Sequence, residues 1–258
     1  MTDTATAGVA TLEDELLCVA DTKLVMGNWL AETVMNGRAL PDFAAMLGMC
    51  TTSYGQSRAI YQLLSQGQQE YAVLERGRDR NQIRSMNLLD APPRNWEDLV
   101  LTIWLAERAT WTMMSGFLAH PERRIGALAR KVGEEAYFHL KYAAGWFKVL
   151  AAEQSAGQRL ESAIAVRLPL AADWFGPPAA NDPLIADGER SATLDELRDQ
   201  FRQEVAEDLK SARVTPPDGT ALAGAPTAEP WRPAARRRGP LPTGLFQVIQ
   251  FKDPGAAH

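Results

Sequence analysis

Residues 134–146 read Glu134-Glu135-Ala136-Tyr137-Phe138-His139-Leu140-Lys141-Tyr142-Ala143-Ala144-Gly145-Trp146. Through and around this stretch, Leu128, Val132, Ala136, His139, Ala143, Trp146 and Leu150 recur three and four residues apart. That spacing puts them on one stripe of an α-helix. The stripe is apolar except at its middle, where His139 follows Ala136 by one turn. An earlier stripe has the same design: Met46, Met49, Ser53, Gln56, Ile60 and Leu63, centred on Ser53-Tyr54-Gly55-Gln56. A third runs Trp96, Val100, Ile103, Glu107, Trp111, Met114 and Leu118, with one carboxylate at its middle. Near the N-terminus, Val25, Trp29 and Glu32 follow the same spacing. Four such helices bury their stripes by packing as a bundle. Their middles then meet at one level, which gathers Glu32, Ser53, Gln56, Glu107, Ala136 and His139, with Glu135 beside the last.

Helix signals divide the chain around this centre. The spacing predicts a first helix over 11–35, with Thr11, Glu13, Asp14 and Glu15 at its positive end and Asn36-Gly37 as its stop. The second starts near Pro41-Asp42 and runs to Leu64. Residues 67–94 are polar, end in Ala91-Pro92-Pro93, and read as a long connection holding at most a short helix. A crossover of that length lets helices two and three run parallel. Asn95 caps a third helix to about residue 119. The fourth spans 121–152, after His120-Pro121. A fifth is predicted over 157–175, and a sixth over 194–212, opened by the capping box Thr193-x-x-Glu196. The expected organisation is a disordered stretch over 1–10, a helical domain over 11–213, and a Pro/Gly-rich tail over 214–258. In that tail Arg236-Arg237-Arg238 reads as solvated, and Leu245–Ile249 as an extended hook for a partner. The fold class is an all-α four-helix bundle of the ferritin-like kind, with additional C-terminal helices.

Composition sets limits on function. A chain of 258 residues with 46% hydrophobic residues can bury a sizeable core. A net charge of −5 gives no electrostatic case for nucleic acid. No apolar run reaches the roughly 18 residues of a membrane span, and the first residues lack the pattern of a signal peptide. Cys18 and Cys50 lack metal-ligand spacing and read as buried thiols of a cytoplasmic protein. No Gly-rich phosphate loop, Ser-His-Asp arrangement or Cys-x-x-Cys is present.

The polar centre carries the chemistry. A di-iron carboxylate bundle takes a Glu from each of two helices and Glu-x-x-His from each of the other two. Here Ala136 stands three residues before His139 and cannot ligate a metal. Ser53 and Gln56 occupy the other pair, and neither is a good iron ligand. Glu107, among Trp104, Trp111 and Met114, needs a partner, because an unpaired buried carboxylate costs several kcal/mol. It is either a metal ligand or part of a buried network with His139, Gln56 and Glu32.

These residues resemble a known family. Ala20–Val25, Tyr54–Arg58, Trp96–Leu150 (above all Glu135–Trp146) and Ala171–Phe175 are similar to the structural subunit, the C component, of phenylacetyl-CoA epoxidase, over about residues 14–210. The resemblance implies a ferritin-like fold shared with a catalytic di-iron paralogue. The paralogue's second-helix motif is similar to Asp-Glu-Ala-Gly-His, against Thr52–Gln56 here. Its fourth-helix motif is similar to Glu-Glu-Ser-Phe-His, against Glu135–His139. Its third-helix acid, 32 residues before that His, falls on Glu107. So Glu32, Ser53, Gln56, Glu107, Ala136 and His139 are expected to be vestigial ligand positions. No metal, cofactor or catalytic residue is then expected in this chain, with di-iron in the partner. The chain departs from the family's structural subunit at Thr52, where an Asp is usual, and in its Pro- and Arg-rich C-terminus.

The reading is a non-catalytic subunit of a bacterial monooxygenase that epoxidises or hydroxylates an aromatic acyl-CoA. Its expected partners are the di-iron paralogue, a small bridging subunit and a flavin/iron–sulfur reductase. One alternative is a metal-dependent oxidoreductase with a reduced site at Glu107, Glu135 and His139. Another is a metal-free helical binding module.

Overall fold

The computed structural model describes residues 10–65, 67–177, 182–215 and 229–249. Helix α1 (Leu12–Thr33) opens with a full capping box: Thr11 accepts from the Asp14 N–H, and Asp14 accepts from the Thr11 N–H. A 3₁₀ turn leads into α2 (Leu40–Leu64), which has Pro41 in its first turn. The crossover contains a short helix α3 (Gln68–Ala72), one π turn and a 3₁₀ turn (Asn87–Leu89). Helix α4 (Trp96–Ser115) is capped by Asn95, whose side chain accepts from the Asp98 N–H. Helix α5 (Arg123–Ala152) is the longest of those described. Helices α6 (Gln154–Asp173) and α8 (Leu194–Ser211), with a short α7 (Pro183–Ala186) between, complete the helical body. The Thr193–Glu196 capping box opens α8 as its sequence requires.

The bundle proper is α1, α2, α4 and α5. Leu30 late in α1, Met46 and Met49 early in α2, Leu99 and Ile103 early in α4, and Tyr142 late in α5 line one small apolar gap. Helices α2 and α4 therefore start at the same end and run parallel, as the long crossover demands. Helices α6 and α8 lie on the back of α4. No helix among the described residues is long and apolar enough to cross a membrane. Cys18 and Cys50 are both free and buried.

The third helix stops at Ser115, short of the expected 119, and Gly116–Ala119 continue as turns. The fifth begins at Gln154 rather than 157. The larger correction concerns the tail. Residues 231–238 form a two-stranded antiparallel hairpin, β1 (Trp231–Arg232) and β2 (Arg237–Arg238). The arginine triplet is not solvated, and each member meets a different element. Arg236 is buried and donates twice to Glu15 of α1, at 2.8 and 2.5 Å. Buried Arg237 donates to both Asp90 carboxylate oxygens and to the Ser85 carbonyl in the crossover. Arg238 clamps Asp173 at the end of α6, at 2.8 and 2.9 Å. A buried guanidinium is tolerated only when its donors are met in this way. Leu245–Ile249 is not an extended hook but belongs to helix α9 (Thr243–Ile249), which packs against α1 with Leu245 and Ile249 buried. The stretch expected to be disordered, and the remainder of the tail, lie outside the described residues.

Candidate functional site: a charged triad at the bundle centre

Glu107 sits halfway along α4 with no solvent exposure. Its carboxylate is satisfied from two sides. Lys23 of α1, also without exposure, places Nζ 2.6 Å from Glu107 Oε2. His139 of α5 places Nδ1 2.8 Å from Glu107 Oε1. An ionised carboxylate only accepts, so the imidazole donates from Nδ1. Burial alone would raise the pKa of Glu107. The Lys23 charge and the His139 hydrogen bond outweigh burial and hold it down to about 2. The bundle centre is thus an internal ion pair extended by one imidazole.

The expected positions fare differently. Glu107 and His139 meet, as their stripes require. Ser53 and Ala136 are buried at the same level, but Ser53 spends its hydroxyl on the Met49 carbonyl at 2.6 Å. Gln56 is buried and donates from Nε2 to Glu135 at 2.7 Å, across the seam between α2 and α5. It does not join Glu107. Glu32 is exposed near the end of α1 and takes no part in the centre. The first helix contributes Lys23 instead. Its stripe is Leu16, Ala20, Lys23, Met26 and Leu30, all fully buried. One Lys interrupting an apolar stripe was the available signal, equal in kind to Glu107 on the third helix.

This donor set does not fit a pair of metal ions. An ammonium bonds one Glu107 oxygen at contact distance, Ala136 has no donor, and Ser53 has turned to its own backbone. Glu135 is held by Gln56, with Lys131 at 3.9 Å. Among the described residues, no three His, Cys, Asp or Glu side chains come together closely enough to hold a metal ion.

Next to the triad lies a second buried network. Asp21, two residues before Lys23, accepts from the Tyr61 hydroxyl at 2.5 Å, from Arg78 Nη1 at 2.8 Å and from the Arg84 N–H at 2.7 Å. It fastens the crossover to α1 and α2 and fixes the stretch of α1 that presents Lys23.

An all-α bundle with two parallel helices joined by a long crossover, and a polar level where metal-binding bundles keep their ligands, defines the ferritin-like class. Residues 1–234 match the family model of the phenylacetic acid catabolic proteins, and the chain belongs to that family. No curated protein matches the chain by sequence.

Proposed function

We propose that this chain is a non-catalytic structural subunit of a multicomponent monooxygenase that epoxidises or hydroxylates an aromatic acyl-CoA. It pairs with, and supports, a di-iron paralogue of the same fold. A small bridging subunit and a flavin/iron–sulfur reductase complete the assembly. Family membership supports the pathway. The observation that carries the non-catalytic role is the Lys23–Glu107 pair at the level of the bundle where metal ligands would stand. A covalently tethered ammonium supplies the positive charge that a buried carboxylate needs, so the centre is electrostatically complete without a metal. Its residues then serve to hold four helices in register. Co-expression with the di-iron paralogue tests the reading. A stoichiometric complex is expected, with turnover that depends on the paralogue's ligands and not on Glu107 or His139. A monomer indifferent to the paralogue would contradict it.

A further inference from the structure

Two sides of the bundle are covered from outside. Helix α4 is backed by α6 and α8, and α1 by the 3₁₀ turn of the tail hairpin and by α9. The side shared by α2 and α5 is different. Gln56–Glu135 and the bonds from Tyr142 and Trp146 to Asp42 close the seam between these helices. Outward of the seam the surface is bare and apolar. Phe138 is 70% exposed, Val149 59% and Tyr137 57%. The two aromatic rings stack edge to face at 5.4 Å, with the Lys141 ammonium 5.6 Å from the Tyr137 ring. Across the seam, Gly48 and Gly55 of α2 are exposed, and a Cβ built on either would meet nothing within 4 Å. Buried Gln56 leaves its side-chain oxygen without a donor at the same seam. Exposed aromatic clusters of this kind belong to interface cores rather than to free surfaces.

Charge decides what covers the face. Helix α5 carries six Lys and Arg against two Glu, although the whole chain has a net charge of −5. Arg130, Lys131, Lys141 and Lys148 are all exposed. A two-fold contact between copies of this chain would set these cations against themselves. We infer that the α2–α5 face, centred on Phe138 and ringed by the α5 cations, docks the di-iron paralogue through an acidic helical face of that subunit. The inference rests on the reading under Proposed function and names the surface it uses.

The test is co-purification of the full-length chain with its di-iron paralogue, followed by affinity and association-rate measurement. Phe138→Glu is expected to weaken the complex by roughly 30-fold or more, the scale of an interface hot spot. Because Phe138 is solvent-exposed, thermal melting of the isolated subunit stays at the wild-type value. Lys141→Glu with Lys148→Glu slows association, and the effect shrinks as salt is raised. Val166→Glu, exposed on α6, leaves binding unchanged. If the wild type forms a complex and both α5 variants bind equally well, the surface assignment falls and the subunit role stands. If the wild type forms no complex, both fall.

Discussion

Lys23→Met isolates the central interaction. Methionine keeps the unbranched stem and about the same volume, so packing within α1 is preserved while the ammonium is lost. Glu107 is then left in a site with no exposure and with only His139 as a partner. Removing one member of a buried ion pair costs about 3–5 kcal/mol. For a domain of this size that lowers Tm by roughly 6–20 °C. The pH dependence carries the sharper signature. In the wild type Glu107 is held down to about 2, so its stabilisation is present above the ordinary carboxylate range. Without Lys23, burial pushes the carboxyl upward, and the folded variant gains a proton as pH falls. The penalty should therefore be largest at neutral pH and shrink toward pH 5, where the carboxyl can be neutral. Urea denaturation of both proteins across this range measures it. Lys23→Met combined with Glu107→Leu should recover most of the loss, because no unpaired charge remains. A single-variant penalty below about 1 kcal/mol at pH 7, or one independent of pH, would refute the reasoning.

Glu107→Gln strands the Lys23 ammonium and should destabilise the subunit by about 3 kcal/mol, while turnover of the assembled complex stays near wild type; loss of turnover in a correctly assembled complex would point to chemistry in this chain. Acid titration of the isolated wild type should show stability falling from about pH 4.5 toward pH 2 as Glu107 takes up its proton, followed by circular dichroism. Gly176 has φ +77°, and a Cβ there would lie 2.4 Å from the Trp231 ring. Gly176→Ala should thus cost about 1–3 kcal/mol and loosen the tail hairpin, read as faster proteolysis near Trp231.

Where a helix is half-solvated its sequence shows which way it faces. On α5 the stripe Val132, Ala136, His139, Ala143 and Leu150 is buried while Tyr137, Phe138 and Lys141 are exposed, so the period is sharp and His139 could be placed. Helix α1 offers no such contrast. Every residue from Glu15 to Asn28 is buried, because α2, α4, the crossover and the tail surround it. With no solvent face there is no period to fix the register, and Val25, Trp29 and Glu32 pointed to the wrong level. Glu32 lies beyond that buried span, at the surface. The arginine triplet was illegible for another reason. Its partners Glu15, Asp90 and Asp173 lie 221, 147 and 65 residues away, so no local pattern announces them. The surrounding Pro and Gly suggest a loose tail, whereas three buried or clamped guanidinium groups fasten it. The caps at Thr11, Asn95 and Thr193 were readable because a cap is made within four residues.

The central claim is that Lys23 takes the charge position a metal would need, so that the bundle holds its shape with an ammonium and not with iron. Elemental analysis of the purified chain after anaerobic incubation with Fe(II) and desalting tests this most directly. No stoichiometric iron is expected, and the thermal melt should be the same with and without the metal. About two irons retained per chain, with a melt raised by their binding, would contradict it.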